Sequence, residues 1–213
     1  EAEVYDYVLV SIGRKPNSSG LGLDNTGVKV SDHGFIEVNG ARQTAVSNIY
    51  AIGDVVGGLM LAHKASHEAK TAVEAIQGQD VTFEPQAIPA VIFTDPQVAW
   101  CGLTETEAKE KGVEYKAVKF PWAASGRATT LGRNEGVTKL LIDPKSEAIL
   151  GMGIVGPGAG DMISEGVVAI EMGATASDLK MCIHPHPTLS ESIMEAAEVF
   201  FGHCTHMFAP KKK

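Results

Sequence analysis

Two histidines set between prolines, with a glutamate shortly after them, are the residues of this chain best suited to acid–base chemistry. Residues 183–192 read IHPHPTLSES, so His184 and His186 each precede a proline, and Glu191 lies five positions after His186. A proline fixes its own φ, removes a backbone donor and pushes the preceding residue towards extended geometry. Both imidazoles are therefore predicted on extended backbone, where a nearby carboxylate could orient one of them as a general base near neutral pH.

The same segment also has a purely structural interpretation. The residues from Thr188 to Glu191 (TLSE) fit a capping box, in which Glu191 would bond the backbone at the start of a helix. The spacing by itself favours neither role. The two roles are compatible, because a carboxylate in the first helical turn can also face the residues that precede the cap.

A second group of candidate residues follows the short apolar segment 49–52 (IYAI), which is predicted to be a strand ending in Gly53-Asp54. An acidic side chain just past a buried strand can accept hydrogen bonds from a sugar or a polyol. For Asp54 alone, a turn or capping role is the simpler interpretation. A helix is predicted over about residues 61–77, because apolar residues recur along one face and Gly78 ends the pattern.

Other residues that could bind a metal or a phosphate receive structural interpretations. His63 and His67 have the i, i+4 spacing of a metal pair, but no third ligand with useful spacing accompanies them. Residues 203–206 (HCTH) are predicted to be a frayed tail. Residues 153–160 (GIVGPGAG) lack the GxGxxG spacing and are predicted to connect a strand to a helix. No metal site is predicted.

Composition narrows the function classes. Hydrophobic residues make up 44% and charged residues 21% of the 213 residues, which is typical of a soluble globular protein. The net charge of −8 argues against a nucleic-acid or anionic membrane surface, and the basic run Lys211 to Lys213 is predicted to be a solvated tail. No apolar run reaches the length of a membrane span. The cysteines, at positions 101, 182 and 204, form no CxxC pair, which argues against a disulfide framework and for a reducing compartment.

The chain begins on residues 4–12, which have a strong strand signal and no lead-in. A lone strand of this buried type needs neighbours in a sheet, because its backbone groups must be paired. We therefore expect the chain to be the C-terminal part of a longer protein. Two further short strands are predicted at residues 28–30 and 35–38.

A domain boundary is predicted near residues 83–85 (FEP), where the pattern changes. From residue 87 onwards strands and helices segregate, which indicates an α+β fold with an antiparallel sheet and helices on one face. The strands are predicted at residues 91–94, 97–102, 113–120, 138–143 and 149–155. The helices are predicted from a capping box at Thr104 to Glu107, over about 161–172, near Ser177, and from Thr188 to about Gly202. Glu165 and Glu171 have no partner that the sequence identifies.

Six segments, taken together, resemble the dihydrolipoamide dehydrogenase family of flavin-dependent disulfide oxidoreductases. They cover nearly the whole chain in the order and spacing of that family's C-terminal part: SIGRKPN, NIYAIGDV, MLAHKASHE, FTDPQVAWCGLTETEA, FPWAASGRA and HPHPTLSES. The resemblance implies FAD, a redox-active cysteine pair, NAD and a homodimer. It also implies oxidation of dihydrolipoamide carried on acyltransferase subunits of 2-oxo acid dehydrogenase complexes, in the cytoplasm or, in a eukaryote, the mitochondrial matrix.

The resemblance assigns a role to the opening segment. It implies that His186 is the catalytic base, that Glu191 is its partner, that the histidine serves the flavin and disulfide of the other subunit, and that the His186–Pro187 bond is cis. The interface is expected within residues 87–201, whose apolar residues include Ile163 and Ile193, because obligate interfaces resemble a core cut in half.

The resemblance also assigns cofactor contacts and domains. It implies residues 1–14 as the end of an NAD-binding domain, 15–84 as an FAD-binding segment and 85–213 as the dimerisation domain. The implied FAD contacts are Gly53, Asp54, Met60, Leu61, Ala62 and His63, and the implied NAD contacts are Ser11, Ile12, Gly13 and Arg14.

Two alternatives remain open. One is another flavin disulfide reductase, such as a glutathione or mercuric reductase, and the other is a non-catalytic dimerisation module. The family's dinucleotide fingerprints and its CxxxxC pair do not occur in these 213 residues. This chain by itself is therefore expected to be inactive.

Overall fold

A computed structural model describes residues 2–207, which divide into two compact units at the boundary between Glu84 and Pro85. The basic run Lys211 to Lys213 lies outside the described residues. Over the part of the chain that is described, no helix has the length and apolar character needed to cross a membrane. The cysteines at positions 101, 182 and 204 are free thiols.

The first unit is organised around α1, Ala62–Ile76, which confirms the predicted helix. Two 3₁₀ turns precede it, Leu23–Asn25 and Gly53–Val56. The strands predicted at 28–30, 35–38 and 49–52 are wrong: the backbone there forms only isolated bridges between Val30 and Ile36 and between Gln43 and Tyr50.

Residues 4–12 form no strand either, and their large side chains are 67–98% exposed. Residues 4–12 are rich in residue types that favour strands, but a strand requires a partner for its backbone hydrogen bonds. Among the described residues no neighbouring strand supplies one.

The second unit is an antiparallel sheet with packed helices, as the α+β prediction required. Its five strands have the spatial order β1-β2-β5-β4-β3. Their bounds are β1 Ala90–Ile92, β2 Val98–Gly102, β3 Lys116–Pro121, β4 Val137–Ile142 and β5 Ile149–Val155. All five were predicted, with shifts of up to three residues at their ends.

Within the described residues, five helices accompany this sheet: α2 Glu105–Glu110, α3 Gly126–Leu131, α4 Ala159–Glu171, α5 Ala176–Met181 and α6 Glu191–Phe200. The capping box of Thr104 and Glu107 is present at α2. A 3₁₀ turn, Trp122–Ala124, and α3 were not predicted; the Ser125 side chain caps α3 by accepting from the amide of Ala128. Helix α6 begins three residues later than expected.

The core lies between one face of the sheet and helices α4 and α6. Cys101, Met152 and Leu140 are aligned across β2, β5 and β4, and all are nearly inaccessible. Helix α4 lies close to this row at Gly166, where a Cβ atom would fall 2.8 Å from the sulfur of Met152. Ile163 and Ile193, two of the apolar residues on which the prediction of self-association drew, are 1% and 0% exposed and belong to the protomer core.

Candidate active site

The imidazole of His186 and the carboxylate of Glu191 are in direct contact. Nδ1 of His186 lies 2.8 Å from Oε1 of Glu191, while Oε2 of Glu191 accepts the backbone N–H of Thr188, also at 2.8 Å. One carboxylate therefore serves the histidine and the start of the helix together, and the two interpretations of this segment are compatible. The His186–Pro187 bond is cis, as the resemblance implied.

The capping box expected at Thr188 is only half formed. The Thr188 hydroxyl donates to the carbonyl of Pro185 at 2.7 Å rather than accepting from the helix, and Ser190, the residue before α6, makes no capping bond with its side chain. The reason is that α6 starts at Glu191, so Thr188 belongs to the turn that precedes the helix. That turn fixes the backbone between His186 and Glu191.

The environments of the two side chains differ in a way that suits a base and its partner. The side chain of His186 is 69% exposed, and that of Glu191 is 17% exposed. Burial raises the pKa of Glu191, but the hydrogen bonds from the Thr188 amide and from His186 outweigh burial, and the pKa is lowered overall. An ionised Glu191 accepts a proton-bearing Nδ1, so Nε2 of a neutral His186 ring carries the lone pair. This is the arrangement of a general base with a fixed tautomer.

A shallow depression adjoins this pair, and its lining includes His186, Glu191, Phe120, Ser125 and His206. The segment FPWAASGRA thus contributes residues next to the histidine.

A buried chain of hydrogen bonds fastens the start of α6 to the sheet. Nε1 of Trp122 donates to the hydroxyl of Thr138 at 3.0 Å, and that hydroxyl lies 2.7 Å from the hydroxyl of Ser192. Because Ser192 follows Glu191 directly, the chain also holds the carboxylate in place.

His184 is held away from this depression. Its Nε2 lies 2.8 Å from Oε1 of Glu165, its Nδ1 lies 3.0 Å from the carbonyl of Cys182, and its side chain is 8% exposed. Glu165 therefore has a partner that the sequence did not identify. Glu171 has one too, because it accepts the backbone N–H groups of residues 86 and 87 at 2.8 and 3.1 Å.

Residues 203–207 pack against α6, so the expectation of a frayed tail at 203–206 is wrong. The thiol of Cys204 donates to Oε2 of Glu195 at 2.6 Å, and the backbone N–H of Thr205 donates to Glu198 at 3.1 Å. Possible ligand atoms of these two glutamates and Cys204 lie within 4.8 Å of one another. Burial and the bond to Glu195 raise the pKa of the Cys204 thiol to about 12, so the sulfur is a protonated donor at neutral pH.

In the first unit, Arg14, which was expected to contact NAD, contacts Asp54 and Met60, which were expected to contact FAD. Nη1 of Arg14 donates to the carbonyl of Met60 at 2.7 Å and lies 3.3 Å from Oδ2 of Asp54. The side chain of Asp54 is 49% exposed, so the carboxylate has room for further donors. Ser11, Ile12 and Gly13 precede Arg14 on exposed backbone.

The turn that presents Asp54 is held by a buried charge network that sequence reasoning missed. The carboxylate of Glu68, 0% exposed, accepts the backbone N–H of Gly53 at 2.7 Å and pairs with Lys64 at 2.9 Å and Arg42 at 3.0 Å. Lys64 also donates to the carbonyl of Gly57 at 3.0 Å. The i, i+4 spacing of Lys64 and Glu68 was the one available signal.

The residues around this turn fit a flavin nucleotide. Asp54 offers an exposed acceptor for hydroxyl groups. Met60 and Leu61 lead into α1, which begins at Ala62 and His63, and the side chain of Leu61 makes no capping bond. An uncapped helix start offers backbone N–H donors and a partial positive charge. Both features match the chemistry of a ribityl chain and an electron-rich ring.

Family profiles match both units. The profile described as the dimerisation domain of pyridine nucleotide-disulphide oxidoreductases matches residues 88–197, and a second profile, for pyridine nucleotide-disulphide oxidoreductases, matches residues 1–69. The chain belongs to the pyridine nucleotide-disulphide oxidoreductase family. The resemblance on which the sequence interpretation relied is confirmed.

Named relatives narrow the place of the chain within the pyridine nucleotide-disulphide oxidoreductases. It is 50% identical over 208 residues to a dihydrolipoyl dehydrogenase of Buchnera aphidicola subsp. Schizaphis graminum. The aligned region is 98% of this chain and 44% of the relative. It is 49% identical over 209 residues to that of Haemophilus influenzae, with coverage of 98% and 44%. The chain therefore spans less than half the length of these relatives.

Solved structures of the family share the fold. LpdA from Mycobacterium tuberculosis superposes with a TM-score of 0.83 at 28% identity, over 89% of this chain and 41% of that one. RclA from Escherichia coli, a HOCl-induced flavoprotein disulfide reductase, superposes with a TM-score of 0.81 at 28% identity, over 89% of this chain and 44% of that one.

Proposed function

We propose that this chain is part of an NAD-dependent dihydrolipoyl dehydrogenase and that it supplies the general base of the reaction, His186, with Glu191 as its orienting partner. The observation that carries the proposal is the 2.8 Å contact between Nδ1 of His186 and Glu191, beside a depression, in a chain about 50% identical to enzymes of that name.

In the proposed reaction, dihydrolipoamide and NAD⁺ give lipoamide, NADH and one proton. Nε2 of His186 takes a proton from a substrate thiol, and the thiolate so formed is the nucleophile that begins disulfide exchange. Glu191 keeps the proton on Nδ1 and stabilises the imidazolium that forms. FAD, when bound, would supply the electron transfer between a redox disulfide and NAD.

The first unit would hold the cofactors. Asp54 would accept hydrogen bonds from the ribityl hydroxyls next to Gly53, and the residues from Met60 to His63 would approach the flavin ring. Helix α1 would direct its positive end towards negative charge on the reduced flavin. Residues 11–14, ending in Arg14, would lie at the NAD site.

The second unit would form a homodimer. Val168 on α4 and Met172, the residue that follows α4, lie one turn apart on the same face as Glu165 and are 60% and 79% exposed. His184 contacts Glu165, and the adjacent Ile183 is 98% exposed. This apolar surface supports self-association.

Docking to an acyltransferase subunit of a 2-oxo acid dehydrogenase complex, in the cytoplasm or a mitochondrial matrix, is part of the same proposal.

A second candidate function is that of another flavin disulfide reductase, which the structural similarity to RclA supports. Purified full-length protein with bound flavin separates the two. We expect rapid reduction of NAD by dihydrolipoamide and little NADPH-dependent reduction of glutathione disulfide or mercuric ion. The opposite preference would reject dihydrolipoyl dehydrogenase in favour of the second candidate.

A further inference from the structure

A second histidine–carboxylate pair lies next to the first. Glu195 follows Glu191 by four residues on α6, which places both carboxylates on one face of the helix. Nδ1 of His206 hydrogen-bonds Oε1 of Glu195. His206 and His186 line the same depression, so the candidate site is bordered by two segments that are distant in sequence.

Glu195 holds the segment 203–207 in place. Its side chain is 2% exposed. Besides the ring of His206, it accepts the Cys204 thiol at 2.6 Å and the backbone N–H of His206 at 3.3 Å. A buried carboxylate is stable only when donors satisfy it, and among the described residues these donors all belong to that segment. The position of the segment is therefore specified by α6, the helix that also carries Glu191.

The chemistry of the segment favours a binding role over a reactive one. The Cys204 thiol has a pKa raised to about 12 by burial and by Glu195, so it is a poor nucleophile. The His206 side chain is 49% exposed despite its bond to Glu195. With Nδ1 engaged, Nε2 is the ring atom that remains for a ligand in the depression.

We propose that residues 203–207 form a wall of the dihydrolipoamide site, with His206 as a substrate-contacting residue that determines specificity and Glu195 as the positioning residue that holds it. This inference rests on the proposed function. Contacts of this kind bind the substrate and the transition state alike, so their loss raises KM and leaves kcat nearly unchanged.

Steady-state kinetics of the full-length, flavin-loaded enzyme with dihydrolipoamide test the proposal. We expect Glu195→Gln and His206→Gln each to raise KM by about 3- to 10-fold, the size of one lost hydrogen bond, with kcat within about twofold of wild type. The double variant should match His206→Gln alone, because Glu195 acts through His206. In His206→Gln, the buried charge of Glu195 loses one of its donors, whereas the double variant removes that charge as well. The double variant therefore provides a folded protein for the comparison.

A control is Glu114→Gln, which neutralises an exposed carboxylate paired with Lys145 outside the depression and should leave KM unchanged. An unchanged KM in both Glu195→Gln and His206→Gln, or effects that add fully in the double variant, would overturn the proposal. His186→Gln measured in parallel reports on the proposed function separately, because it tests kcat. A full-length protein that does not turn over dihydrolipoamide at all would overturn both.

Discussion

Glu191 binds the ring of His186 from the first turn of α6, and the Nδ1–Oε1 distance is 2.8 Å. The helix that carries this carboxylate is well anchored, because Ile193, Ala196 and Ala197 on its inner face are all 0% exposed. The orientation of His186 therefore depends on the packed core rather than on loop contacts alone. The relationship leads to predictions for each of the two residues.

Glu191 should make the folded state sensitive to acid. Its pKa is lowered on folding, so the ionised carboxylate stabilises the protein above the unfolded value of about 4.3, and this contribution is lost as pH falls through the lowered value. The difference in Tm between wild type and Glu191→Gln should therefore be constant from pH 7 to about 5 and should shrink as the pH falls below about 4. A difference that stays constant to pH 3 would show that the bonds of the ionised carboxylate are not its source.

Asp54 should matter for flavin retention more than for the fold. Its pair with Arg14 is exposed, and such pairs contribute little to stability. Loss of a charge-assisted hydrogen bond to a ribityl hydroxyl costs about 1.5–3 kcal/mol, so Asp54→Ala in the full-length enzyme should weaken flavin binding about 10- to 150-fold. Flavin content after dilution and gel filtration measures this. Asp24→Ala, at an exposed acidic residue of the same unit, is the control, and equal flavin retention in the two variants would refute the assignment.

Glu68 should be essential for the stability of the first unit. Glu68→Gln leaves Lys64, 7% exposed, without its anionic partner, and breaking a buried ion pair in this way costs about 3–5 kcal/mol. Denaturant unfolding of the full-length protein measures the loss. Glu74→Gln, on the exposed side of the same helix, should change the free energy of unfolding by less than about 0.5 kcal/mol. Similar values for the two variants would mean that the network contributes no net stability.

The second unit was predictable because its elements are specified locally and pair with one another. The strands and α4 follow from alternating or helical periodicity, and α2 follows from the capping box at Thr104. Helix α3 was missed because GRATTL has too few apolar residues to show a period. The strands of the first unit failed for the opposite reason: the signal over residues 4–12 is strong, but no described residue pairs with them.

The candidate site was only partly accessible from sequence. His186 and Glu191 are five residues apart, and one turn brings them together, so their contact could be anticipated. The contacts of Glu68 with Arg42 and of His184 with Glu165 join residues 26 and 19 positions apart. Spacing carries no signal for contacts that depend on tertiary packing.

The exposed apolar surface of Val168, Met172 and Ile183 should contribute to self-association. Burying an isoleucine side chain is worth about 1.5–3 kcal/mol, so Ile183→Lys should raise the dissociation constant of the full-length dimer by at least about 10-fold. Sedimentation over a concentration series measures it. Leu131→Lys, at a partly exposed leucine of α3, controls for the added charge. A dimer that Ile183→Lys leaves as tight as wild type would place the interface elsewhere.

The most direct test of the central claim is kcat for dihydrolipoamide oxidation by His186→Gln and His184→Gln, in the full-length enzyme at pH 8 with flavin content normalised. General-base catalysis typically raises the rate by about 10²–10⁴-fold, so kcat of His186→Gln should fall by at least about 10²-fold while the variant keeps its flavin and fold. His184→Gln should remain near wild type, because His184 is paired with Glu165 outside the depression. A crippled His184→Gln beside an active His186→Gln would show that the base has been assigned to the wrong histidine.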